Sequence, residues 1–281
     1  MNNKNMTTLN CLATSLLAYF FTIPLHELFH LITHYAYGDT CFYFSAGAVG
    51  PNKIFDYGTL SPFNTLMVAG GSASILNAII GVALLFVLIK VKDMAPMVRR
   101  FLVQFMGVQL SEGFGYFMIG GFFATGDWRE VFEYFEPGTV LAMRIVLSII
   151  GSAGVVFIFF VLNYMSYWFI EDPSDKNERF YVAFRLHMLP LISGAIVGII
   201  VSFMSPAVAS GELSIATSLL YNLMWITFFW GFMFTWVMVK PPAKSRFMYK
   251  LPAEPHYIVM IAAVVLILFD ILVLGPGIKI G

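Results

Sequence analysis

The chain has 281 residues, of which 59% are hydrophobic and only 11% charged, with a formal net charge of zero. Zero net charge gives no reason to expect a nucleic-acid partner. Apolar runs recur from end to end, which excludes a soluble domain with one anchor and implies an all-α polytopic membrane protein of about seven transmembrane helices.

Residues 1–8 are a short polar start, and no secretory signal with a small-residue cleavage site follows, so the first apolar stretch is expected to stay in the protein. A first helix is predicted from Leu9 to Tyr37. Its second half carries His26-Glu27-x-x-His30. Positions i and i+4 lie on one helix face, so both imidazoles can reach a single ion. Zn²⁺ accepts such nitrogens at about 2.0–2.1 Å, and Glu27 then stands where a metalloprotease keeps its general base. The surroundings are apolar, and ionisable groups at membrane depth are functional by default. Structural histidines packed between helices are the alternative reading. Pro24 is expected to loosen the helix just before the motif. His34 adds a further turn but drifts about 80° around the helix from His26, so it reads better as a supporting or interfacial histidine. Cys11 and Cys41 fall near opposite ends of this helix, so no disulfide is expected between them.

The segment from Asp39 to Leu60 is apolar but broken by Gly47, Gly50, Pro51 and Gly58. With Phe42-Tyr43-Phe44 it suggests a re-entrant hairpin or loop, which is tolerated in a bilayer only under cover of protein or water. A second helix spans about Asn64 to Val91 and opens with the small-residue run Ala69-Gly70-Gly71-Ser72-Ala73-Ser74, followed by Asn77. A third spans about Phe101 to Thr125, carries Gln109 and Glu112, and ends at Gly126-Asp127-Trp128. An interfacial piece, Trp128 to Phe135, comes next. Further helices are predicted over Val140–Ile170, Phe180–Met204, Leu213–Val239 and Tyr257–Leu274. His187 and Asp270 are read as structural.

Twelve of the 16 Lys and Arg residues lie near the N terminus and the loops at 90–100, 171–179 and 240–256. This asymmetry makes that side cytoplasmic, with the C terminus outside, in what reads as the plasma membrane of a prokaryote. The second half of helix one and Asp127 then reach one membrane level from two separate spans. Asp127 is therefore the preferred third ligand, with His34, Asp39 and Asp56 as alternatives. Glu112 lies four turns deeper than Asp127 on its own helix, which puts it out of reach of the same ion and suggests a protonated or hydrogen-bonded buried acid.

Over residues 10–130 these features resemble the site-2 protease family of intramembrane zinc metalloproteases. The resemblance rests on His26, Glu27 and His30, on Asp127 as the downstream aspartate, and on Ala69–Ser74 as the small-residue motif, with Ser74 or Asn77 at its asparagine position. It implies a metalloprotease-like core over 1–138 and an additional four-helix region over 139–281 in the same membrane domain. It also implies Zn²⁺ bound by His26, His30 and Asp127, Glu27 as catalytic base, Ser74 and Asn77 as substrate-positioning groups, and membrane-protein or peptide substrates. A hairpin edge after the first motif could pair with an extended substrate. The alternative class is a non-proteolytic subunit or assembly factor with partners in a larger membrane complex. A transporter reading lacks repeats and paired broken helices.

Overall fold

A computed structural model of the chain describes residues 3–51, 57–170, 175–204, 208, 249 and 252–280. The helix predicted over Leu213–Val239 lies outside the described residues, as does Asp56. Helix α1 (Asn3–Ala36) runs unbroken through Pro24. Helices α2 (Pro62–Leu66) and α3 (Ser72–Lys90) are joined through a π-turn at Met67–Gly71. Then come α4 (Pro96–Phe123), the short α5 (Asp127–Glu133), α6 (Pro137–Ser166), α7 (Lys176–Ala183), α8 (Leu189–Met204) and α9 (Tyr257–Phe269).

Five helical stretches among the described residues are long and apolar enough to cross a membrane: Thr7–Ala36, Pro62–Lys90, Pro137–Phe169, Asn177–Met204 and Tyr257–Leu274. This is the sequence of a membrane protein folded as a helical bundle. Helix α4 is not among the five. It carries Arg99, Arg100, Gln109 and Glu112, and all four are buried against other helices.

Lipid is as apolar as leucine, so helices in a membrane associate through close packing rather than through hydrophobic exclusion. The α3–α4 contact shows this. A Cβ at Gly113 would stand 2.6 Å from the backbone nitrogen of Ala78, so only glycine allows the two helices to come this close. Leu88, Met106, Leu110 and Ile158 fill the adjoining space between α3, α4 and α6.

The two ends of the bundle differ. At one end Asn10 donates from Nδ2 to the carbonyls of Pro252 (3.1 Å) and Glu254 (2.8 Å), and accepts the backbone N–H of His256 at 2.9 Å. There too Arg99 donates to the Leu88, Val91 and Lys92 carbonyls at the end of α3, its guanidinium lying 4.4 Å from the Tyr249 ring and 5.4 Å from Trp168. A cation there satisfies orphan carbonyls and complements the negative end of the helix dipole. The N-terminal segment, the 91–95 junction, Tyr249 and residues 252–256 thus gather at one end.

The other end holds a small sheet of strands β1 (Cys41–Phe44), β2 (Val49–Pro51) and β3 (Ile278–Lys279), in the order β2-β1-β3. Both pairings are antiparallel, with Phe44 opposite Val49 on one side and Ile278 on the other. Phe44 and Ala46 share an apolar cluster with Tyr19, Phe20, Val201 and Leu274. Tyr19 lies about 25 Å back along α1 from its end at Ala36. The hairpin therefore folds back alongside α1 instead of continuing away from it. Because β3 takes the second edge of β1, an added strand at Tyr43–Phe44 would find both edges of β1 already paired.

Candidate metal centre

Helix geometry brings His26 and His30 to one face of α1. Their rings meet edge to face with centroids 5.0 Å apart, and their Nε2 atoms stand 3.3 Å from one another. Both residues are buried. The Tyr116 ring of α4 stacks on His26 at 4.9 Å and 29°.

Asp127 arrives from a sharp reversal after α4. Ala124 is left-handed (φ 50°) and Gly126 follows at φ 66°, so the chain turns within three residues and enters α5 at Asp127. Arg144 of α6 steadies this turn by donating from Nε to the Gly121 carbonyl (3.0 Å) and from a terminal nitrogen to that of Phe122 (2.9 Å). Two glycines seat the result. Gly120 admits Trp128, whose Cβ would lie 2.6 Å from a Cβ on Gly120. Gly70 sits in the π-turn at φ 156°, and its missing side chain leaves room for the backbone of Asp127. The small-residue run thus shapes the site through backbone approach.

The Asp127 Oδ2 atom lies 3.1 Å from His26 Nε2 and 3.3 Å from His30 Nε2. With the 3.3 Å between the two nitrogens, three donor atoms form a nearly equilateral triangle. Tetrahedral Zn²⁺ with bonds of about 2.0–2.1 Å requires ligand atoms about 3.3 Å apart, so the edges match. Asp127 Oδ2 is buried and makes no hydrogen bond, although it faces two ring nitrogens. Burial alone would raise the Asp127 carboxyl. The imidazoles of His26 and His30 outweigh burial and hold it well below the usual carboxylate range. A buried carboxylate oxygen within 3.1–3.3 Å of two imidazole nitrogens is the donor arrangement of a two-histidine, one-carboxylate metal site. The residues present fit the metal that the sequence implies.

Glu27 is buried one position along from His26 and interacts electrostatically with His26, His30 and Asp127. The remaining ligand candidates are placed elsewhere. His34 Nδ1 lies 2.7 Å from Asp39 Oδ2, and Asp39 Oδ1 accepts the Thr40 backbone N–H at 2.7 Å, so these two side chains are spent on each other and on the turn after α1. Glu112 is not a ligand. It faces α1 across the helix contact and interacts with His26, Asp127 and Glu27. Glu112 is thus a buried acid outside the donor triad, as its position along α4 implies.

Ser74 and Asn77 were expected to meet substrate, but both are fully buried. Ser74 Oγ donates to the Gly71 carbonyl at 3.2 Å, inside its own helix. The Asn77 side-chain amide stands 2.8 Å from His26 Nδ1. Both polar groups are thereby engaged within the protein. Sequence reasoning missed Tyr116, since a tyrosine among the glycines and phenylalanines of an apolar helix carries no signal of its partner. It also missed the outer rim, where the rings of Tyr57 and Tyr134 lie 4.6 Å apart and exposed Glu130 interacts with Asp127 and His30. No family model, curated protein or solved structure matches this chain.

Proposed function

We propose that the protein is a membrane-embedded zinc endopeptidase, a divergent relative of the site-2 proteases, that hydrolyses peptide bonds in membrane-protein substrates. The observation that carries this reading is the convergence of His26 Nε2, His30 Nε2 and Asp127 Oδ2 at mutual distances of 3.1–3.3 Å, with Glu27 buried beside them. Zn²⁺ held by these three atoms would supply Lewis-acid chemistry, lowering the pKa of a water to about 7. Glu27 takes the proton of the attacking water on its carboxylate. As the carbon–nitrogen bond breaks, it delivers that proton to the leaving nitrogen, so a carboxylate and an amine leave the site. Asp127 and the two histidines orient the reaction from α1 and the α4–α5 turn. Tyr116 and the α3–α4 contact shield one side of the centre.

The hairpin beside α1 serves as the re-entrant element of this reading. With β1 paired on both sides, an extended substrate would have to add to the outer edge of β2 or β3. The basic-residue asymmetry supports a cytoplasmic N terminus, which puts the metal centre toward the opposite face.

The test is cleavage of a panel of single-span membrane peptides by purified protein in detergent or lipid. Wild type should cleave and Glu27→Gln should not, at equal metal content. Wild type that holds zinc and cleaves nothing across the panel would refute the protease and favour a non-proteolytic subunit.

A further inference from the structure

An imidazole that gives Nε2 to a cation must carry its own proton on Nδ1, so the group facing Nδ1 must accept a hydrogen bond. For His26 that group is the Asn77 carboxamide of α3, placed with Nδ2 at 2.8 Å from Nδ1, so the acceptor Oδ1 reaches Nδ1 when the amide is turned over. Both residues are almost or wholly inaccessible, with His26 2% and Asn77 0% exposed. This is the one hydrogen-bond contact of the Asn77 side chain among the described residues, and its Oδ1 has no partner. A carboxamide presents a donor at one end and two lone pairs at the other, and turning it over exchanges them without moving the helix. Asn77 therefore carries, beside His26 Nδ1, the acceptor that a metal-binding tautomer needs.

His30 has no such clamp. Its contacts are made through Nε2, toward His26 and Asp127, and no hydrogen bond to its Nδ1 is found among the described residues. The two histidines are thus unequal. The His26 ring is fixed between Asn77 on one side and the Tyr116 ring stacked on its face. His30 is held by its helix and by its contacts with His26 and Asp127, with no described hydrogen bond at Nδ1.

We propose that Asn77 is a positioning residue, whose amide oxygen accepts the His26 Nδ1 proton and so fixes His26 in the tautomer and ring orientation that bind metal. The inference rests on the metal-centre reading and deepens it. It gives Asn77 a role beside His26 in addition to the substrate contact that the sequence suggested.

Zinc affinity of the purified full chain, measured by competition with a chromophoric chelator, tests it in three variants. Asn77→Leu keeps the volume and removes the acceptor, and should weaken zinc binding by about 10–100-fold. Asn77→Asp restores an acceptor and should return affinity to within a few-fold of wild type. Thermal stability in the presence of chelator reports any purely structural effect, which should fall on both variants without the difference in zinc affinity. On the wild-type protein, nitrogen-15 spectra of zinc-loaded, histidine-labelled chain should show His26 protonated at Nδ1 with a hydrogen-bonded proton. Asn77→Leu affinity within two-fold of wild type, Asn77→Asp as weak as Asn77→Leu, or a His26 signal protonated at Nε2 would each overturn the proposal. Wild-type protein that binds no zinc would instead overturn the metal centre itself, and the spectra need no variant to fold.

Discussion

A single methyl group at Gly70 should dismantle the metal centre from behind. Built on the glycine backbone, the Cβ of Gly70→Ala overlaps the carbonyl oxygen of Asp127 and comes within 2.8 Å of its carbonyl carbon and 3.1 Å of its Cβ. Ordinary carbon contacts begin near 3.5 Å, so Asp127 must retreat by about 0.5–1 Å. The obstacle is backbone and cannot rotate away. The φ of 156° adds strain for any L side chain, on the order of 1–3 kcal/mol. The same retreat pulls Oδ2 out of a triangle whose edges are 3.1–3.3 Å. Misplacement of about 1 Å at a functional group costs about 10²-fold in catalysis, and loss of ligand support costs about 10–100-fold in metal affinity. Gly70→Ala should therefore weaken zinc binding by about 10–100-fold in a chelator competition, with a modest loss of thermal stability. The control is Gly71→Ala, whose Cβ would press on Leu66, 2.6 Å from its Cδ2, and not on Asp127. It should lose stability and keep its zinc affinity. A folded Gly70→Ala protein with wild-type affinity would refute the claim that the glycine turn positions Asp127.

Other substitutions separate the roles within the centre. Glu27→Gln should retain zinc and lose about 10²–10⁴-fold in turnover, measured on a membrane peptide cleaved by wild type, because it removes proton transfer and not a ligand. Asp127→Asn keeps shape and loses charge, and should weaken zinc binding by about 10-fold or more with the helical circular dichroism unchanged. His34→Ala and Asp39→Asn should leave zinc affinity nearly unchanged, since those side chains pair with each other at 2.7 Å; loss of metal in His34→Ala with retention in Asp127→Asn would move the ligand set onto one helix. In a background lacking Cys11 and Cys41, an impermeant thiol reagent outside the cell should label Glu133→Cys and spare Ser245→Cys, and the reverse pattern would turn the metal centre to the cytoplasmic side.

The parts of the site that follow local rules were legible in the sequence. The spacing of His26 and His30 sets their shared face by helix periodicity alone, and the aspartate after Gly126 was found by asking which carboxylate reaches the same end of the bundle. Partners across helices were not legible. Nothing in the sequence says that Asn77 faces His26, because an asparagine buried in an apolar helix reports only that it needs a partner. Glu112 was judged by its rise along α4 to be a buried acid out of reach of the ion, and it is buried and outside the donor triad. Strand β3 is two residues long and pairs with a segment more than 230 residues earlier, so no local pattern could announce it. The Gly70-Gly71 pair was visible as a close-packing signal. Its use, a backbone kink that admits Asp127, required knowing what lies against it.

Metal content reaches the central claim most directly. Protein purified without added chelator and analysed by elemental mass spectrometry should hold close to one zinc per chain, and Glu27→Gln should hold the same. The double variant His26→Ala/His30→Ala should hold almost none. Equal zinc in the double variant, or iron in place of zinc in wild type with the same two-histidine, one-carboxylate donors, would contradict a zinc peptidase built on His26, His30 and Asp127.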